Sequence, residues 1–143
     1  VKINQDALEI DDSLARVDFD KVHGWLAGTY WSPGVGKEEV IQGAKNSTLV
    51  VGAYQGGAQA GYLRVISDKI RFAYILDVIV AEELRGGGIG REMVKFAVDH
   101  PDFAAVYQWV LATRDAHGVY APLGFGPAPE PDRWMILLKP KEW

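Results

Sequence analysis

The sequence predicts an α+β (mixed α/β) domain with a mixed, mostly antiparallel central sheet, flanking helices and one parallel strand pair. Three observations predict it. β-Branched runs between Thr48 and Ile66, broken by a glycine turn, read as an antiparallel hairpin. The near-continuous apolar run Phe72 to Val80 has the character of a long strand buried on both faces. An amphipathic segment from Gly90 to His100 then leads to a second apolar run, Tyr107 to Thr113. A helical crossover of this kind makes the strands it joins parallel neighbours.

The 143 residues suit one domain over 1–143 with a single core. With 48% hydrophobic and 24% charged residues, the chain is globular rather than disordered. A net charge of −4 argues against general binding to nucleic acid or to an anionic membrane surface. The lack of cysteine removes disulfides, thiolate nucleophiles and Cys-type zinc sites, and it suits a reducing cytoplasm. No apolar run reaches the ~18–20 residues that span a bilayer. No signal peptide is visible after Val1, so a cytoplasmic location is expected.

In chain order, Leu8-Glu9-Ile10 is a candidate first strand before the turn Asp11-Asp12-Ser13. Phe19, Val22, His23, Leu26 and Tyr30 recur at helical spacing, which predicts a helix over 18–30 capped by Asp18 or Asp20. Ser32-Pro33-Gly34-Val35-Gly36 breaks the chain, and a second helix is expected over 37–46, with Val40, Ile41 and Ala44 on one face. Strands over 48–54 and 59–66 form the hairpin, and Ser67-Asp68-Lys69 turns into the long strand. Ile89, Met93, Phe96 and Ala97 give the crossover helix its apolar stripe, and His100-Pro101 ends it. Residues 107–113 are expected as a buried strand, 116–123 as a short helix stopped at Gly124, and 134–138 as a last strand.

The chemistry-bearing stretch is Arg85-Gly86-Gly87-Gly88-Ile89-Gly90-Arg91, between the long strand and the crossover helix. Glycines permit positive φ and close approach of a ligand, while a helix start offers unpaired N–H groups and a positive dipole end. A phosphate suits both. The nucleotide P-loop needs a Lys-[Ser/Thr] pair after its glycines, and none follows here. The dinucleotide pattern Gly-x-Gly-x-x-Gly fails because Arg91 stands at the third glycine. A tight strand-to-helix turn without a ligand is the plain alternative.

The spacing present is Arg-x-x-Gly-x-Gly, at Arg85, Gly88 and Gly90. It resembles the acetyl-coenzyme A loop of the GNAT N-acetyltransferase superfamily. A second match lies downstream. Members carry Ala-x-x-Leu-Tyr-x-x-x-Gly-Phe after the next strand, and residues Ala116 to Phe125 fit it, with Val119 for the leucine. The element order suits the superfamily over essentially the whole chain.

The resemblance implies acetyl-CoA as co-substrate and direct acetyl transfer to a primary amine, expected to be a small molecule. It implies that amides from Gly86 through Gly87, Gly88 and Ile89 to Gly90 hold the pyrophosphate, with Arg85 and Arg91 as charge partners. Val78, Ile79 and Val80 would give backbone hydrogen bonds to a pantetheine arm lying between two splayed strands. Tyr120 matches the tyrosine that protonates the departing thiolate. The superfamily often has Asn where Thr113 stands. Two other functions compete: an acyl-CoA-binding sensor without turnover, and acetylation of a protein N-terminus or lysine.

The reaction needs a neutral amine, hence a base or a water path, and donors for the tetrahedral oxyanion. A phenol of pKa ~10 can protonate a thiolate of pKa near ~8.5. Asp77 interrupts an apolar strand, where an unpaired charge is costly. Two roles fit it: the general base or the holder of a water that serves as base, with a pKa raised by burial, or a structural residue, either paired with an arginine or making a backbone bond at a strand bulge. Trp25, Tyr30 and Trp31 either line an aromatic acceptor pocket suited to a cationic amine or simply pack. Tyr74 is open to the same two roles, while Arg64 and Arg71 would suit an acidic acceptor. His117 is expected on a helix surface, with Thr113 or Asp115 capping that helix, and His23 and His100 as structural or solvated residues. The three histidines lack metal-ligand spacing, so no metal is assigned. A homodimer through the C-terminal strand is compatible with the sequence.

Overall fold

The computed structural model describes the backbone of residues 2–5 and 7–143, with side chains from Ala7 onward. Among these residues six strands form one sheet in the order β1 to β6. A hairpin of β1 (Lys2–Gln5) and β2 (Leu8–Asp11) precedes β3 (Leu49–Gln55), β4 (Ala58–Ser67) and β5 (Phe72–Val80), each antiparallel to its neighbour. Helix α3 (Ile89–Val98) crosses over to β6 (Gln108–Val110), which runs parallel to β5. The mixed sheet with one parallel pair is the architecture the sequence predicts. No helix among the described residues is long and apolar enough to cross a membrane.

Helices α1 (Phe19–Ala27) and α2 (Lys37–Lys45) cover one face of the sheet, and α3 covers the other. Asp18 caps α1 by accepting from the Lys21 amide at 3.2 Å. The helix ends before Tyr30 because the amides of Gly28 and Thr29 turn back to the Trp25 and Leu26 carbonyls. Tyr30 and Trp31 are thereby released into a loop.

The two faces of the sheet have separate cores. Ala73 and Ile75 of β5 pack with Leu63, Val65, Met93 and Phe96 toward α3. Ile79, an even number of residues further on, packs instead with Val22, Leu26, Val40 and Tyr62 toward α1 and α2. A regular strand places positions i and i+4 on one face. The parity changes because Arg64 pairs with Leu76 but Tyr62 pairs with Ile79, so Asp77 and Val78 together oppose Leu63. This is a β-bulge, and Asp77 within it has φ +56°. The long strand is therefore not buried throughout, since Phe72 is exposed and Leu76 to Val78 are half-buried.

Two other expectations are corrected. The strand over 107–113 shortens to Gln108–Val110, an edge strand that is half-buried at best. Residues 134–138 form no strand: Met135, Ile136, Leu137 and Leu138 lie open to solvent. The causes are linked, because β6 without a neighbour on its outer side is neither extended nor covered.

His100 illustrates a structural histidine. Its ring lies between Phe96 and Phe103, Nδ1 accepts from the Asp102 amide at 3.1 Å, and Nε2 donates to Asp12 at 2.8 Å. Nearby in the sheet, the hydroxyls of Tyr54 and Tyr62 are buried without a hydrogen-bond partner among the described residues. Burial pushes the Tyr54 phenol up to about 12, against the pull of Arg16 over its ring, and raises Tyr62 as well. Both are raised above the ordinary phenol, so their contribution to stability is complete below pH ~10 and is lost as pH rises through their folded values. An ultraviolet phenolate titration followed alongside circular dichroism should show Tyr54 and Tyr62, among the six tyrosines, ionising above the ordinary phenol range. Six ordinary midpoints in a folded chain would contradict the burial.

Candidate active site

The loop between β5 and α3 is shaped by two obligatory glycines. Gly86 and Gly88 have φ of +86° and +87°, where a Cβ is strained. Gly88 is the N-cap of α3 and offers no side chain to it, and the first bond of that helix runs from the Glu92 amide to the Gly88 carbonyl. The amides from Gly86 to Arg91 consequently donate to no protein acceptor among the described residues. Successive free amides at the start of a ten-residue helix form an anion cradle. Arg85 turns back and donates from Nε to the Val80 carbonyl at 3.1 Å, leaving its terminal nitrogens outward. The Arg91 guanidinium lies over the loop, 3.8 Å from where a Gly88 Cβ would stand.

A cleft of about 1100 Å³ opens from this cradle. Its walls are the two parallel strands after they part. β5 and β6 pair only over Phe72–Tyr74 and Gln108–Val110. Beyond that point Ile75 to Val80 and Leu111 to Thr113 diverge, and both line the cleft. Val78 and Val80 pack back toward the α3 core, so they anchor this wall.

Tyr120 stands deeper in the same cleft, at the end of α4 (His117–Tyr120). Its ring is 9% exposed and packs edge-on against Phe125 at 6.3 Å. Burial and then the neighbouring Tyr30 hold its phenol above the ordinary value. Such a group keeps its proton at neutral pH and is suited to donate it. Thr113 supports α4 by accepting from the Ala116 amide at 3.0 Å, whereas Asp115 pairs with Arg114. His117 is exposed on the helix, as expected.

The opposite end of the cleft gathers Tyr30, Trp31, Tyr74 and Asp77. Asp77 Oδ1 accepts from Trp31 Nε1 at 3.0 Å, and Oδ2 accepts from Arg64 Nε at 2.7 Å. The arginine pair, one of the structural alternatives, is thus present, and the residue also lies in the bulge. Arg64 lies behind Asp77 against α2, near Gly43 and Ser47, and does not itself line the cleft. Trp25 is also elsewhere, packed on the α1–α2 core. Arg71 is bound to the Tyr107 hydroxyl at 3.1 Å.

Sequence reasoning missed one contact. The Arg114 amide donates to the Tyr30 hydroxyl at 3.1 Å, and its guanidinium covers the Tyr30 ring at 3.9 Å. This clasp joins the loop after α1 to the loop before α4 across the cleft. Neither loop carries a pattern that announces the other, so only the folded chain reveals it.

Cradle, splayed strands and buried phenol together make the cleft of an acyl-group transferase. The chain belongs to the acetyltransferase (GNAT) family, whose sequence model matches residues 12–125. A protein from Xanthomonas campestris pv. campestris described as belonging to the GNAT family is 33% identical. The match covers 93% of this chain and 94% of that one, with a TM-score of 0.85. Two more distant structures share the fold. A GNAT-family acetyltransferase from Streptococcus pneumoniae TIGR4 is 23% identical over 94% of this chain and 99% of that one, at TM-score 0.70. Glucosamine-6-phosphate N-acetyltransferase from Arabidopsis thaliana is 17% identical over 94% and 97%, at 0.64. Among curated proteins none matches significantly.

Proposed function

We propose that the protein is an acetyl-CoA-dependent N-acetyltransferase acting on a small primary amine in the cytoplasm. The observation that carries this is the run of unengaged amides from Gly86 to Arg91 at the mouth of a cleft that ends at Tyr120. These amides, with Arg85 and Arg91, would hold the pyrophosphate. The edge of β5 from Val78 to Val80 that β6 leaves without a neighbouring strand would bind the pantetheine amides, although the Val80 carbonyl already accepts from Arg85. Bound acetyl-CoA supplies an acetyl thioester, whose carbonyl carbon the amine attacks as the C–S bond breaks. The chain's part is to orient the amine, supply a backbone donor near Val78 to the oxyanion, and return a proton from Tyr120 to the sulfur.

The acceptor end favours a cationic amine over an acidic one. Tyr30, Trp31 and Tyr74 present aromatic rings beside the Asp77 carboxylate, whereas Arg64 is already engaged by that carboxylate. Each carboxylate oxygen keeps a second lone pair, so Asp77 has capacity to take the amine proton directly or through a water. Asp77→Asn is the clean variant, because Asn tolerates positive φ and still offers an acceptor to Trp31. It should lower kcat by about 100-fold, as loss of general-base assistance does. CoA affinity should hold, and loss of the Arg64 pairing should cost about 1–3 kcal/mol of stability. An unchanged kcat with a shifted melting temperature would leave Asp77 only its structural role.

The deciding experiment is free-thiol release from acetyl-CoA across a panel of small amines, a peptide N-terminus and a lysine peptide. Release that depends on a small cationic amine supports the proposal. CoA binding without acceptor-dependent release would favour a sensor.

A further inference from the structure

We propose that the clasp between Tyr30 and Arg114 is the specificity determinant of the acceptor site: it admits an amine on a narrow stem and turns away one carried by a polypeptide. The inference rests on the acetyltransferase reading and names what limits its acceptor. The clasp is one link in a line of side chains drawn across the cleft. Arg114 covers the Tyr30 ring at 3.9 Å, and Tyr30 meets Trp31 edge-on at 5.0 Å. Trp31 in turn donates to Asp77, which Arg64 holds from behind. Tyr30 and Trp31 are 49% and 38% exposed, so this line belongs to the outer surface of the cleft and not to its floor.

The clasp closes the side from which an acceptor would arrive. The glycine cradle opens at the start of α3, which covers one face of the sheet, whereas α1 and the loop after it belong to the other. CoA entering by the cradle leaves the α1 side for the amine. Tyr30 is also near enough to Tyr120 to help hold its phenol above the ordinary value. The clasp therefore stands over the end of the cleft where the thioester sulfur would take its proton.

Its two halves are held very differently. The Tyr30 turn is locked to the end of α1, because Thr29 Oγ1 and Ser32 Oγ both donate to the Leu26 carbonyl, at 2.7 and 2.9 Å. The Gly34 amide adds a bond to the Ala27 carbonyl at 2.8 Å. Across the cleft, the backbone of residues 112–115 makes one hydrogen bond to a described residue, from the Arg114 amide to the Tyr30 hydroxyl. The Arg114 side chain is 64% exposed, and Asp115, its other partner, is no better covered. Tyr30 is thus the fixed post and Arg114 the latch. Contacts of 3.1 and 3.9 Å leave no gap between the two loops for a polypeptide to lie across. A narrow amine binds whether the latch is closed or open. A polypeptide amine binds only the open state, and its apparent affinity falls by the fraction of chains that is open.

Arg114→Ala removes the latch at an exposed position and leaves Tyr120, Asp77 and the glycine loop untouched. With CoA bound, calorimetry should show an alanine peptide with a free N-terminus gaining about 3- to 30-fold in affinity, the range in which loss of a cation–π contact shifts a two-state closure. n-Butylamine should stay within about twofold, and thiol release from acetyl-CoA should show the same split in kcat/KM. Arg114→Lys should recover part of the discrimination, since an ammonium still sits on the ring. Tyr30→Phe loses only the hydroxyl that holds the Arg114 amide and should give the peptide a smaller gain. Unchanged peptide affinity in Arg114→Ala would overturn the proposal. So would an equal gain for both amines, or an unmodified chain that already takes both alike. A gain in peptide affinity without thiol release from either amine would instead keep the clasp and overturn the acetyltransferase reading.

Discussion

Gly88→Asp is expected to lower CoA affinity by at least about 100-fold in a chain that still folds. Three effects add at this one position. Gly88 sits at φ +87°, so a side chain there strains the turn by about 1–2 kcal/mol. The new carboxylate stands at the anion cradle, where repulsion at ~5 Å from a phosphate charge amounts to roughly 1–3 kcal/mol. It also lies within reach of Arg91, whose guanidinium is 3.8 Å from the site of the new Cβ, and would take that cation from the ligand. The fold tolerates the change in space, because no other atom lies within 4 Å of that Cβ. Calorimetric titration with CoA measures the loss, and a melting curve verifies the fold. Gly88→Ala separates backbone strain from charge and should weaken binding far less. Wild-type affinity in the aspartate variant would remove this loop from the site.

Legibility in the sequence followed the range of the interactions concerned. The bounds of β5 coincide with Phe72 and Val80 because turn residues lie on both sides of an apolar run, and Asp18 caps α1 through a bond three residues away. The glycine loop was legible for the same reason, since positive φ at Gly86 and Gly88 is a local demand. The Asp77 bulge was visible only as a polar residue in an apolar strand. That it reverses strand parity and aims Asp77 at Trp31 and Arg64 depends on β4 and on the loop after α1. Trp25 and Trp31 look alike in the sequence, yet the end of α1 at Ala27 falls between them and sends one to the core and one to the cleft. Residues 134–138 have the composition of a strand, but composition does not supply the neighbour that makes one.

Tyr120→Phe should lower kcat by roughly 10- to 100-fold with CoA affinity preserved, at or below the lower limit of the range for general acid assistance. The effect is bounded because a thiolate of pKa near ~8.5 leaves with modest help. Affinity should hold because the phenyl ring still packs against Phe125, and no hydrogen bond of the Tyr120 hydroxyl to a described residue is lost. The pH dependence makes the assignment sharper. An acid is active while protonated, and the Tyr120 phenol is held above the ordinary value of about 10 by burial and by Tyr30. The wild-type rate should therefore rise with pH as the acceptor amine loses its proton, and stay level to pH ~10 without a Tyr120-dependent fall. The variant should keep the rising limb, which belongs to the amine, at a lower plateau. Pre-steady-state thiol release measured over this pH range separates bond cleavage from product release. An unaltered kcat would reject Tyr120 as the acid and leave water in the cleft to protonate the sulfur.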